Sequence, residues 1–175
     1  MIGNAINNFT YTGIVTVSRY KHGKKSELFK ITNNGGQALF DFFTMCLCGN
    51  YKDAELLRPT GIMLVNESDG SPAEMIAYSA FIEASTIEVL QKDDTRGCVR
   101  YSFLVHKDAI YEGTFNSICL YNTGTAISGN ANKLNNYSAK VAVTADEVAE
   151  ISASDVSALI IDWELHISNP LSAAV

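Results

Sequence analysis

The segment Ala158-Leu159-Ile160-Ile161-Asp162-Trp163-Glu164-Leu165-His166-Ile167-Ser168 sets Leu159, Ile161, Trp163, Leu165 and Ile167 in alternation with Ile160, Asp162, Glu164, His166 and Ser168. Successive side chains of a strand point to opposite faces, so five apolar residues, the single Trp among them, share one face. The other face is mostly polar. This is the pattern of an inner strand of an antiparallel β sandwich or barrel.

The same signal recurs along the chain. Residues 98–106 place Val99, Tyr101, Phe103 and Val105 on one face. Residues 11–20 and 27–32 are rich in β-branched and aromatic side chains and flank a Lys/Gly segment, which predicts a hairpin. Asn33-Asn34-Gly35-Gly36 then breaks the sheet, and Leu39, Phe40, Phe43 and Leu47 recur at helical spacing with Gly49-Asn50 as a stop. A helix is expected over residues 37–48, although Phe42 and Phe43 make the segment apolar nearly all round and leave a buried strand as the competing reading. After a loop ending at Pro59, residues 61–66 form a short buried strand and residues 67–72 a turn. Met75 to Ala84 and Ser85 to Gln91 read together as one long or kinked strand. In residues 113–122 the spacing of Phe115, Ile118 and Leu120 switches faces and predicts a bulge near Asn116-Ser117. A polar loop over residues 123–136, a strand over 137–144 and about one helical turn in 145–155 precede the last strand. The expected fold is mainly β, a single-domain antiparallel β sandwich or barrel of eight to ten strands with about one short helix. Residues 1–10 are an N-terminal arm, 11–169 the sandwich domain and 170–175 a C-terminal tail.

Composition narrows the function. The chain has 175 residues, 47% of them hydrophobic and 18% charged, as in globular proteins and unlike disordered ones. A net charge of −6 argues against a phosphate-binding surface, so no nucleic acid partner is expected. The cluster Lys21, His22, Lys24 and Lys25 surrounds Gly23 and reads as a solvated hairpin tip. No apolar run approaches the ~18–20 residues of a membrane span, and Met1-Ile2-Gly3-Asn4 lacks the charged-then-apolar order of a leader. No membrane partner is expected, and the chain is expected to stay in the cytosol until a larger assembly carries it out.

Cys46, Cys48, Cys98 and Cys119 lie in apolar stretches and are expected to be reduced core thiols. Cys46-x-Cys48 lacks the further ligands that a structural zinc site requires. His22, His106 and His166 stand in no nucleophile motif, and Asp162 with Glu164 shares one strand face without a recognisable sugar cleft. Gly-rich phosphate loops are missing as well. No catalytic, cofactor-binding or metal-binding residue is assigned, and no cofactor is expected.

Three pieces of the C-terminal third carry a resemblance: Thr114-Phe115-Asn116-Ser117-Ile118-Cys119-Leu120-Tyr121, Tyr137-Ser138-Ala139-Lys140-Val141, and Leu159-Ile160-Ile161-Asp162-Trp163-Glu164-Leu165-His166-Ile167. Their order resembles that of small β-sandwich structural proteins of tailed bacteriophages, although Cys119 stands where a Gly usually precedes the Leu-aromatic pair. The resemblance implies a non-enzymatic virion subunit, assembled in the host cytoplasm. Its role would be capsid decoration and stabilisation, or neck, tail or fibre assembly. Its partners would be identical subunits and other virion proteins. The candidate contacts are Ile2, Ile6 and Phe9 of the arm, Lys24 and Lys25 of the basic tip, Asn132, Asn135 and Tyr137 of the Asn-rich loop, and Leu171 of the tail. The alternative is a carbohydrate- or receptor-binding β-sandwich module, in which Tyr51, Tyr78, Tyr111 or Tyr137 would line a shallow glycan groove.

Overall fold

The connection His22-Gly23 has positive φ at both residues, 50° and 75°, the type I′ geometry whose twist matches that of paired strands. It joins β1 (Thr10–Lys21) to β2 (Lys24–Asn33) in the expected hairpin. The computed structural model describes residues 10–33, 37–66, 74–75, 82–92, 96–106, 115–122, 138–153 and 158–168.

Ten strands form two antiparallel sheets among these residues. The first has the order β2-β1-β10-β7-β6, with β10 (Ala158–Ser168) in the middle, β7 (Arg96–His106) beside it and β6 (Thr86–Lys92) at the edge. The second has the order β4-β3-β8-β9, built from β4 (Glu74–Met75), β3 (Gly61–Asn66), β8 (Ser117–Tyr121) and β9 (Ala139–Ala142). The short β5 (Ile82–Glu83) also pairs with β3. One core joins Val15, Phe103, Ile161 and Trp163 of the first sheet to Ile62, Leu64, Ile118, Leu120 and Val141 of the second. The arrangement is a two-sheet sandwich, and Trp163, 0% exposed, lies at its centre.

The second sheet is buried on both faces. Met63, Val65, Cys119 and Tyr121 form a separate cluster on the side away from the main core. Burial on both sides explains why residues 61–65 and 118–121 are continuously apolar instead of alternating. The face switch expected near Asn116-Ser117 is present: Phe115 and Ile118 both enter the main core, and the Asn116 N–H donates to the Val65 carbonyl although Val65 pairs with Ser117. Further register irregularities lie between Val17 and Ser18 and between Val89 and Gln91.

Residues 75–91 are not one strand. The Ala84 N–H donates to the Thr60 carbonyl beside the second sheet, and the next N–H, of Ser85, donates to Ser102 in the first. The chain therefore crosses between sheets at this dipeptide.

Among the described residues, three short helices replace the single one expected. α1 (Gln37–Leu47) occupies the predicted position. It ends with Gly49 at φ 77°, where the Gly49 N–H donates to the Cys46 carbonyl and the Asn50 N–H to that of Met45. These are the two bonds of a Schellman cap, whose left-handed residue favours glycine. Asn50 then starts α2 (Tyr51–Leu57), its side chain accepting from the Asp53 N–H. α3 (Ala145–Ala153) is longer than the one turn expected, because Thr144 and Glu147 form a capping box. Leu39 of α1 and Ile151 of α3 belong to the main core. The expectation of four core thiols holds for Cys98 and Cys119 only, since Cys46 is half-buried and Cys48 exposed.

Candidate functional site

The outer face of β10 carries Asp162, Glu164 and His166, and antiparallel register sets Ser102, Arg100 and Cys98 of β7 directly opposite them. The central position of β10 gives these groups neighbours on both sides. Asp162 accepts from the Ser102 hydroxyl at 2.6 Å and pairs with the Lys25 ammonium from β2. Glu164 Oε1 accepts from both Nε and Nη2 of Arg100, at 3.1 and 2.7 Å. Its other oxygen, Oε2, lies 3.0 Å from His166 Nε2. The same nitrogen is 3.6 Å from Cys98 Sγ.

The electrostatics follow from this ladder. Burial pushes the Glu164 carboxyl up, but the bonds and charges of Arg100 and His166 together outweigh it and hold the group below the usual carboxylate range. The hydrogen bond to Glu164 pushes the Arg100 guanidinium up against a smaller effect of burial. Burial, and after it the Glu164 charge, push the Cys98 thiol up, with Arg100 partly offsetting them. Glu164 is thus kept ionised and Cys98 kept as a thiol. Neither state suits the roles of general acid or activated nucleophile.

A second region is apolar. By register Ile87 and Val89 of β6 lie opposite Tyr101 and Val99, on the side of the sheet that faces the core. Val89 is nonetheless 67% exposed, and Ile87 and Leu90 are exposed with it. Among the described residues β5 of the second sheet packs against β7, and these β6 side chains lie open to solvent.

The residues singled out from sequence are dispersed. Lys24 is exposed at the hairpin turn, whereas Lys25 is tied to Asp162. Ile2, Ile6, Phe9, Asn132, Asn135, Tyr137 and Leu171 lie outside the described residues, as do residues 1–9 of the arm and the whole tail, while Thr10 begins β1. Tyr51 is 71% exposed on α2, while Tyr78 and Tyr111 also lie outside the described residues. His106 ends β7 opposite Ala158, four strand positions from Asp162. The meeting of Cys98 with His166 and Glu164 was not foreseen. The His-x-Glu spacing marks one face of one strand, but Cys98 is 66 positions upstream of Glu164 and joins them only through strand register. No protein-family model, curated protein or solved structure matches the chain.

Proposed function

We propose that the chain is a non-enzymatic structural subunit of a tailed-phage virion, contributing to capsid decoration and stabilisation or to neck, tail or fibre assembly. It works by contacts with identical subunits and other virion proteins. The observation that carries the reading is the uncovered edge of the first sheet. There Ile87, Val89 and Leu90 combine exposed apolar side chains with an edge strand. Exposed apolar side chains on an edge strand are suited to receiving another chain, and the irregularity between Val89 and Gln91 confines regular pairing to the residues before it. A second copy of the subunit docking along β6 would extend the sheet and cover the shelf. The resemblance of residues 114–121, 137–141 and 159–167 to phage structural proteins supports the same reading. Those pieces cover β8 and most of β9 and β10, which belong to the framework of the sandwich.

The test is incorporation. With the gene expressed from its own genome, mass spectrometry of gradient-purified particles is expected to find the protein, and Val89→Lys to deplete it there while leaving the isolated chain folded. Particles that form fully without the protein and never contain it would overturn the proposal. So would saturable glycan binding abolished by Tyr51→Ala, which would favour a host-adhesion module.

A further inference from the structure

We propose that Cys98 Sγ, Glu164 Oε2 and His166 Nε2 together bind a thiophilic divalent cation of the zinc type on the outer face of the first sheet. The three ligand atoms lie within 4.8 Å of one another. Zinc bonds of about 2.3 Å to sulfur and 2.0–2.1 Å to nitrogen set tetrahedral sulfur and nitrogen ligands about 3.6 Å apart. Cys98 Sγ and His166 Nε2 are separated by 3.6 Å. His166 Nε2 and Glu164 Oε2, at 3.0 Å, need to part by only a few tenths of an ångström to meet the corresponding nitrogen-to-oxygen spacing.

The remaining chemistry agrees. Three atoms with lone pairs converge on one point, and a cation that displaces the Cys98 S–H proton bonds all three at once. Arg100 grips Glu164 through Oε1 alone, which leaves Oε2 directed at His166 and fixes the carboxylate as outer partners of metal ligands do. The positive charge of Arg100 opposes a nearby cation, but Glu88 faces Arg100 across β6 and β7, and the Asp162 charge acts on it as well. His166 is 38% exposed, so an ion has a route in from solvent and water can supply the fourth ligand. On binding, the Cys98 S–H proton passes to solvent as the metal–sulfur bond forms, with no change of oxidation state.

The experiment uses the full chain with Cys46 and Cys48 replaced by Ser, so that the helix thiols cannot contribute. Titration with Co(II) is expected to give one equivalent of binding with a sulfur-to-metal charge-transfer band. Zn(II) should displace the Co(II) and raise the melting temperature. His166→Gln, at a partly exposed position that leaves the core untouched, is expected to weaken Zn(II) binding 100-fold or more. Glu164→Gln should weaken it about 10- to 100-fold, and Cys98→Ser should abolish the charge-transfer band. Stoichiometric binding that survives His166→Gln in the folded protein, or no binding at micromolar Zn(II) by the folded parent chain, overturns the proposal.

Discussion

Trp163 stands opposite Val15 on one neighbouring strand and Tyr101 on the other, and all three are buried. Truncating so large a side chain at the meeting of two sheets leaves a cavity that the surrounding strands cannot close. Trp163→Ala is therefore expected to cost about 3–5 kcal/mol, measured by denaturant unfolding. Gly13 is constrained in the opposite way. A Cβ there would lie 1.9 Å from Asn33 Oδ1, and Asn33 cannot retreat without losing the bond from its Nδ2 to the Lys140 carbonyl, which ties β2 to β9. Gly13→Ala should destabilise by about 1–3 kcal/mol, and less in an Asn33→Gly background, where the obstructing group is absent. Nearby, burial pushes the phenols of Tyr11 and Tyr101 above their ordinary value of 10.0. A raised phenol favours the folded state while it is protonated, so this stability is intact below pH 10 and lost as pH rises through the folded values. Melting temperatures should begin to fall near pH 10 and go on falling as the pH rises further, and the Tyr11→Phe, Tyr101→Phe double variant should flatten that fall.

At the scale of elements, the caps explain both what the sequence disclosed and what it concealed. The end of α1 was legible because Gly49 is the residue that the left-handed cap favours. α2 was not, and α3 showed only as about one turn in residues 145–155, because each is too short to show a clear apolar stripe and depends on a local polar bond at its start. For α3 that signal was written as Thr144-x-x-Glu147, and Thr144→Ala is expected to lower stability by about 1 kcal/mol, seen as lost helicity and a lower melting temperature. The strands divide in the same manner. β7 and β10 alternate because one face meets the core and the other meets solvent or partly exposed polar groups, so their faces could be assigned from spacing alone. β3 and β8 lie in a sheet buried on both faces, so their spacing carries no record of which side chain faces which layer. The passage of Ala84-Ser85 from one sheet to the other was equally hidden, since both flanking segments are extended and only their partners differ.

For the whole molecule, an apolar shelf on β6 lies exposed at the edge of the first sheet. If that shelf is the assembly surface, light scattering should find self-association of the isolated wild-type chain that rises with concentration. Val89→Lys should yield monomers with a melting temperature within a degree or two of that of the parent, since an exposed edge position contributes little to the fold. Ile87 and Val89 have the spacing of core residues, and nothing in their sequence says that they lie open to solvent. The candidate site has the same history. Asp162, Glu164 and His166 were legible as a polar face of one strand, because period-2 alternation is a local property of the backbone. Their pairing with Ser102, Arg100 and Cys98, and the reach of Lys25 from β2, depend on a register that brings distant segments side by side. The sequence by itself determined the β class, the hairpin, the position of α1 and the buried Trp163, all consequences of short-range periodicity and turn chemistry. Only the tertiary structure decided the division into two sheets, the uncovered edge and the meeting of sulfur, carboxylate and imidazole, because each rests on contacts between residues far apart along the chain.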